Sequence, residues 1–358
     1  MRQVSIRPVW TIRSTDGRSL PPRLVELLES VQGVGSLQTA ARALGISYRH
    51  AWDLVRQGEA VFDAPLLEMV RGKGSRLTPL GERLVRAEHR ILARLEPVLD
   101  SLASELAAEI DRALSVSTAA LRLHASHGFA IERLVDWMKA AGVRIELSYG
   151  NSGAAAAALQ RGDCDLAGLH VPIGPMQDVV LAHYERWLAG LPLSVIDIAT
   201  RRQGLMVRAG NPREVFTIAD LPRPGVRFIN RQPGSGTRLL LEALLRAAGL
   251  DADRIAGFEQ GEYTHSAVAA HVASGMADVG FGLEPPARRF GLDFVPIAVE
   301  RYFLLCRDDR LEDPAVTAVI SALSDPGFRA RLGELPGYDA TLAGAVTPIG
   351  EAFRASPG

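Results

Sequence analysis

The sequence has few of the features that mark several common protein classes. It contains two cysteines in 358 residues, and Cys164 and Cys306 lie in apolar runs without a CxxC pair or a metal-ligand cluster. This pattern predicts two buried thiols in a reducing compartment, not a disulfide or a redox centre. The chain opens without a signal peptide and has no apolar run near the roughly 18 residues of a membrane span. We therefore expect a cytoplasmic protein that does not bind membranes.

A strong net charge is also missing. The chain carries a net charge of −1, which gives no general indication of nucleic-acid binding. The charge is unevenly placed, however, because residues 1–80 hold eleven Arg and Lys against seven Asp and Glu. A modestly basic N-terminal block on an otherwise acidic chain suits a DNA-binding head. The eight histidines show no spacing typical of metal ligands, so we predict neither a metal site nor a bound cofactor.

Residues 36–58 have the pattern of two short helices joined by a tight turn. Ser36 predicts the cap of a helix over 37–44, and Ser47 predicts the cap of a second helix that runs to Val55. The turn contains a glycine, and the first turn of the second helix exposes Ser47, Arg49 and His50. This arrangement is the helix-turn-helix that reads base edges in the major groove of DNA.

The next segment predicts a β-hairpin with a basic, glycine-rich tip. Two apolar stretches within residues 66–77 flank the sequence RGKGS. Its basic side chains, which we expect to reach phosphates beside the groove, are Arg71, Lys73 and Arg76. Thr78 and Pro79 then predict the cap and the first residue of a long helix.

Together these residues resemble a known head domain. The stretches AARALGISYRHAWDLV and APLLEMVRGKGSRLTPLGERL are similar to the winged helix-turn-helix of ModE-type molybdate-responsive regulators and LysR-type regulators. The resemblance covers roughly residues 18–90. It implies that DNA is contacted by Ser47, Tyr48, Arg49 and His50.

Residues 81–114 predict a long connector helix with one apolar face. The apolar positions are Leu84, Ile91, Leu95, Val98, Leu102 and Leu106. A single long helix with one apolar stripe usually pairs with a second copy, so we expect a homodimer or a higher even oligomer. The alternative is that the stripe packs on its own domain. Pro97 predicts a kink or a division into two helices.

The remaining residues alternate between strands and helices, which predicts an α/β domain with a mainly parallel sheet. Small polar residues recur where strands end and helices begin, and such helix starts favour anions. The resulting candidate ligand contacts are Ser126, Asn151, Ser152, Ser235, Gly236, Thr237 and Thr264. Arg238 either adds positive charge to the site or pairs with a nearby carboxylate.

The motifs NRQPGSGTRLLLEALL, GEYTHSAVAAHVASGMADVGFGL and LDFVPIAVERYFLL resemble the periplasmic-binding-protein-like domain fused to ModE-type heads. The resemblance implies a type II fold of two lobes, with the chain crossing between them near 199–206 and 296–302. It also implies molybdate or tungstate as the ligand. The ligand contacts that it implies are Ser126, Ser152, Ser235, Gly236, Thr237, Arg238 and Thr264. Formate, a smaller organic anion, is an alternative.

The fold class is therefore multidomain: an α+β winged helix-turn-helix over 1–80, a connector helix over 81–115, and a two-lobed α/β domain over 116–358. This combination predicts a one-component transcription regulator that binds a double-stranded DNA operator and senses a small oxyanion. A solute-binding component of a transporter is a weaker reading. Catalysis by Ser126 with His127, or by Ser235 with His265, is disfavoured because no GxSxG motif is present, so no catalytic residue is predicted.

Overall fold

A computed structural model describes residues 4–70, 74–113 and 120–354. The chain divides into two compact units, Arg7–Leu95 and a larger unit formed mainly by Glu96–Gly358. Each unit has hydrophobic core clusters of its own. Within the described ranges, no helix is both long enough and apolar enough to cross a membrane.

The smaller unit is built from short helices followed by a β-hairpin. Its elements are α1 (Leu24–Val34), α2 (Leu37–Ala43), α3 (Tyr48–Phe62), β1 (Leu67–Val70) and β2 (Gly74–Leu77). The hairpin is antiparallel and pairs Leu67 with Leu77. This arrangement confirms the predicted winged helix-turn-helix.

Helix starts in this unit follow the local capping chemistry. Ser36 Oγ accepts a hydrogen bond from the Thr39 amide at 3.3 Å, and Ser47 Oγ accepts one from the His50 amide at 3.1 Å. Both contacts satisfy amides that have no partner within the helix. The two predicted caps are therefore confirmed.

Helix α3 is longer than the sequence predicts, because it continues past Val55 to Phe62. It ends at Asp63, which adopts the left-handed conformation with φ of 50°. Gly58 lies in this extension, where an added Cβ would lie 2.1 Å from Leu24 Cδ2 of α1. A glycine inside a helix weakens it locally, but here it permits the close crossing of α1 and α3.

Helix α4 (Pro79–Ala113) is the predicted connector. Thr78 Oγ1 accepts a hydrogen bond from the Gly81 amide at 3.2 Å, which confirms Thr78 as its cap. The helix is unbroken at Pro97, so the prediction that proline divides it in two is wrong. Proline removes one intrahelical hydrogen bond, and the turns on either side maintain the helix.

The larger unit is an α/β domain. Its strands are β3 (Leu121–Ala125), β4 (Ile145–Tyr149), β5 (Leu166–Pro172), β6 (Leu193–Val207), β7 (Phe228–Arg231), β8 (Gly261–Glu262), β9 (Val279–Leu283), β10 (Asp293–Arg307), β11 (Tyr338–Asp339) and β12 (Val346–Pro348). Its helices are α5 (Phe129–Ala140), α6 (Ser152–Arg161), α7 (Gln177–Leu188), α8 (Gly236–Ala247), α9 (His265–Ala273), α10 (Glu284–Arg289), α11 (Pro314–Ser324), α12 (Pro326–Gly333) and α13 (Ile349–Ala352).

These strands form two lobes. The strand order is β4-β3-β5-β10-β6-β9-β7-β8, so β3, β4 and β5 belong to the first lobe and β7, β8 and β9 to the second. Each lobe buries apolar side chains on both faces of its sheet. In the second lobe, for example, Phe228 and Ile229 of β7 enter two separate core clusters. Successive side chains of a strand point to opposite faces, which explains this division.

The two lobes are joined by the long strands β6 and β10. They pair antiparallel from Leu193↔Arg307 to Val207↔Asp293. At one end β10 pairs with β5, and at the other end β6 pairs with β9. Strand pairing is parallel between β3 and β4 and between β7 and β9. The prediction of a mainly parallel sheet is nevertheless wrong, because the long crossing strands pair antiparallel with each other and with β5 and β9. The predicted crossings at 199–206 and 296–302 lie within these two strands.

Candidate functional site

A cleft of about 550 Å³ lies between the two lobes. Its walls include the end of β3, the starts of α6 and α8, and residues of β5 and β7. The carboxyl ends of parallel strands meet helix starts here, which is where ligands bind in open α/β sheets.

Two helix N-termini line this cleft. Asn151 Oδ1 accepts a hydrogen bond from the Ala154 amide at 2.8 Å, and Ser235 Oγ accepts one from the Arg238 amide at 3.2 Å. These side chains therefore cap α6 and α8. The other amides of each first turn have no carbonyl partner within the helix, so they remain suited to donate to an anion.

Arg231 supplies the positive charge of the cleft. Its side chain is buried, and its Nη2 donates to the Tyr263 carbonyl at 2.8 Å. Within the described ranges, no carboxylate lies at ion-pairing distance from this guanidinium. Burial and the positive charge of the neighbouring Arg201 together lower the pKa of Arg231 to about 10, although the negative charge of Glu300 partly offsets them. The group is still charged at neutral pH, and an anion in the cleft would compensate it.

Two buried histidines are neutral at neutral pH. Burial lowers the pKa of His170 to about 4 and holds the pKa of His265 well below its usual range. His170 Nδ1 lies 3.3 Å from Ser152 Oγ, whereas its Nε2 has no hydrogen-bond partner in the part of the chain described here. An added Cβ at Gly236 would lie 2.3 Å from that Nε2. A residue of the first lobe thus contacts the start of α8 in the second lobe.

The cleft is connected to the crossing strands by buried hydrogen bonds. Gln203 Nε2 donates to Thr237 Oγ1 at 3.1 Å and to Glu300 Oε1 at 2.9 Å. Glu300 also accepts from Arg201 Nε at 2.6 Å. Burial would raise the pKa of Glu300, but the charge of Arg201 keeps it below its usual value. Thr237 is therefore positioned by side chains of the strands that join the lobes.

Six of the eight predicted ligand contacts come together in this cleft. They are Ser126, Asn151, Ser152, Ser235, Gly236 and Thr237. Arg238 and Thr264 are not among the described lining residues. Arg238 forms ion pairs with Glu242 at 2.7 Å and Glu259 at 2.9 Å, and Thr264 Oγ1 caps α9 by accepting from the Ala267 amide. The structure thus favours the alternative in which Arg238 pairs with nearby carboxylates.

Several lining residues were not predicted from the sequence, namely Arg231, His170, Tyr149 and Tyr263. Arg231 is the last residue of β7 and directly precedes the loop that contains Ser235 and Gly236. Its position beside a candidate anion loop was therefore visible in the sequence. Its burial was not, because that depends on the pairing of β7 with β8.

The predicted DNA-contacting residues lie on the surface of the smaller unit. Ser47, Tyr48, Arg49 and His50 are all exposed at the start of α3. On the hairpin, Arg76 forms an ion pair with Glu68 at 2.6 Å. Arg71 and Lys73, the other predicted basic residues of the hairpin, lie outside the described residues.

Comparison with known families agrees with this architecture. The sequence model of the PBP superfamily domain matches residues 136–324, more than half of the chain. The chain belongs to the PBP superfamily. Residues 22–82 match the model of bacterial regulatory helix-turn-helix proteins of the lysR family. The predicted combination of a helix-turn-helix head with a PBP-like domain is therefore confirmed.

Three relatives illustrate the similarity. The uncharacterized protein YvgK of Bacillus subtilis is 32% identical over 188 residues, which are 52% of this chain and 60% of YvgK. The molybdenum-pterin-binding protein MopB of Rhodobacter capsulatus is 35% identical over 111 residues, 29% of this chain and 41% of MopB. The transcriptional regulator ModE of Yersinia pestis is 32% identical over 85 residues, 23% of this chain and 32% of ModE. The chain thus spans less than two thirds of each relative.

The segment matched as a PBP domain includes residues of both lobes. Arg231, His170 and the start of α8 lie within it, whereas Ser126 precedes it. The PBP domain thus holds the buried cation and both helix N-termini described above.

Proposed function

We propose that this protein is a one-component, DNA-binding transcription regulator whose PBP domain senses a doubly charged tetrahedral oxyanion, most simply molybdate or tungstate. In this proposal residues 1–80 recognise DNA, 81–115 mediate dimerisation and 116–358 sense the effector in the cytoplasm. The observation that carries the proposal is the buried Arg231, without a carboxylate partner in the described ranges, between the starts of α6 and α8.

The charge of the cleft favours a dianion. The guanidinium of Arg231 contributes one positive charge, and each helix N-terminus contributes the equivalent of about half a charge. Because His170 and His265 are neutral at neutral pH, they add hydrogen-bonding groups but no charge. Together these groups match a dianion better than formate, which carries a single negative charge.

The lining also favours a fully ionised anion. Among the described residues of the cleft wall, none is an aspartate or a glutamate. Hydrogen phosphate keeps one proton at neutral pH and would need an acceptor for it, whereas molybdate, tungstate and sulfate carry none. The names of MopB and ModE support molybdenum as the element, through segments that cover less than a third of this chain.

The head supports binding to double-stranded DNA. The exposed first turn of α3 presents hydroxyl, guanidinium and imidazole groups, which are suited to hydrogen bonds with base edges. A dimer formed through α4 would present two such helices to a near-palindromic operator. Effector binding would then alter operator affinity, typically by about 5- to 150-fold for a coupling of this kind.

The proposal is tested by measuring thermal unfolding of the purified protein with molybdate, tungstate, sulfate, hydrogen phosphate and formate. An operator is first selected from random DNA, and its affinity is then measured with each stabilising anion. We expect stabilisation by molybdate and tungstate together with a change in operator affinity. Stabilisation by formate alone would mean that the effector is formate and not molybdate or tungstate. An operator affinity that no stabilising anion changes would contradict the regulatory function.

A further inference from the structure

The C-terminal half of α4 lies along the free edge of the sheet in the larger unit. Strand β4 is the last strand in the order and pairs with β3. On its outer side, the Leu147 amide donates to Ser104 Oγ at 3.0 Å and the Tyr149 amide donates to Ser101 Oγ at 3.1 Å. Serines three apart on one helix face thus satisfy amides two apart on the strand.

The same segment of α4 forms part of the cleft wall. Val98, Ser101 and Leu102 line the cleft together with Tyr149. Val98 and Leu102 are 55% and 46% exposed, so they stand at the accessible side of the cleft and not in its buried floor. Asp100, on the same turn, has its carboxylate 3.7 Å from His127 Nε2, and the His127 ring lies 4.9 Å from the ring of Tyr149.

The loop proposed to bind the anion, at the start of α6, comes directly after Tyr149 in the chain. Tyr149 ends β4, and Gly150 alone separates it from Asn151, the cap of α6. Gly150 has no room for a side chain, because an added Cβ would lie 2.4 Å from His124 Nε2. A shift of the α6 start on anion binding would therefore be imposed on the Tyr149 amide and on its hydrogen bond to Ser101.

We propose that α4 is a wall of the effector cleft and that its contact with β4 through Ser101 and Ser104 transmits occupancy of the cleft to the connector helix. The helix extends without a break back to Pro79, and Thr78 alone separates it from the hairpin. The effector thus acts on the connector itself. This inference rests on the proposed sensing function.

The test uses the full-length protein with Ser101 and Ser104 both replaced by alanine. Molybdate binding is measured by calorimetry, and operator affinity is measured with and without molybdate. Operator affinity is compared at molybdate concentrations that saturate each protein, and we expect the effect of bound molybdate on it to fall from the typical 5- to 150-fold to about onefold. Hydrogen exchange at the Leu147 and Tyr149 amides should become faster in this variant.

Two control variants separate transmission from simple support of the fold. Replacing both serines by threonine keeps the hydroxyl acceptors and should restore the response to molybdate. Glu109→Ala changes an exposed residue of the same helix and should leave the response intact.

The outcomes also separate this inference from the proposed function. If the alanine variant binds molybdate and still changes its operator affinity as wild type does, α4 is not the transmitting element and only the inference fails. If no anion in the panel binds the wild-type protein, the sensing function fails and the inference falls with it. Loss of molybdate binding in the alanine variant would make the serines structural supports of the cleft and would also overturn the inference.

Discussion

Two arginines seven positions apart have opposite roles in the cleft region. Arg238 lies between Glu242 and Glu259, whereas Arg231 is buried against carbonyl oxygens. The i,i+4 spacing of Arg238 and Glu242 is visible in the sequence and predicts their pairing. The burial of Arg231 comes from strand pairing, which residue spacing does not encode. The sequence therefore indicates the loop, but it points to Arg238 as the possible charge of the site and not to Arg231.

Arg231→Met should abolish most of the anion response. Losing a desolvated charge partner typically costs 2–5 kcal/mol, so molybdate affinity should fall at least ~30-fold. Because burial already disfavours the charged guanidinium, the unliganded variant should be at least as stable as wild type. Calorimetry and thermal unfolding measure the two effects. Arg238→Met is the matched control, and equal losses in both variants would contradict the assignment of Arg231.

His170 makes the stability of the protein depend on pH. Burial lowers its pKa from 6.5 to about 4, so the unfolded chain takes up this proton first as pH falls. The stabilisation is complete above pH 6.5 and is lost as pH falls towards 4; between pH 7 and pH 5 the loss is about 2 kcal/mol. His170→Asn keeps a polar group near Ser152 and should reduce this pH dependence by that amount in urea unfolding. An unchanged slope would show that folding does not lower the pKa of His170.

At the scale of elements, the sequence predicts the features that depend on residues close together in the chain. Ser36, Ser47 and Thr78 each precede a helix and cap it. These caps are predictable from sequence because each side-chain oxygen and the amide that donates to it are three residues apart. The predicted end of α3 at Val55 is too early. Glycine disfavours a helix, and the close approach of Leu24 that requires Gly58 within α3 is not visible in the sequence. The antiparallel pairing of β6 with β10 joins residues about a hundred positions apart, and no local pattern specifies it.

The apolar stripe of α4 leads to a prediction about assembly. Leu95, Val98, Leu102 and Leu106 are between 38% and 55% exposed, and their spacing of three and four residues is that of a helix-pairing seam. Leu106→Glu places a charge in this seam outside the cleft, so we expect a monomer at micromolar concentration. Light scattering after gel filtration measures the mass.

The same variant should also lose operator affinity. A monomer contacts one half-site, so affinity should drop roughly 100-fold through lost avidity, while molybdate binding stays at the wild-type level. Glu109→Gln, an exposed polar change on the same helix, is the control and should remain dimeric. A dimeric Leu106→Glu protein would place the dimer interface elsewhere.

The whole molecule consists of two compact units, and this division should be visible in unfolding. Proteins with several domains often unfold in separate transitions. Molybdate at 100 times its dissociation constant should stabilise the larger unit by ~2.7 kcal/mol and raise its transition only, whereas operator DNA should raise that of the smaller unit. Scanning calorimetry of the full chain measures the two unfolding transitions separately. A single transition that shifts as a whole with either ligand would mean that the units unfold together.

The crossing strands have one more consequence. Val207 and Asp293 are paired neighbours on β6 and β10, so the chain leaves the crossing strands and returns to them at adjacent positions. Everything between them, residues 208–292, forms one continuous insert that contains β7, β8 and β9. One uninterrupted stretch of codons therefore encodes this part of the second lobe, including Arg231 and the start of α8. Exchange of this single gene segment would replace the second lobe's share of the cleft wall without any change to the codons of the helix-turn-helix head.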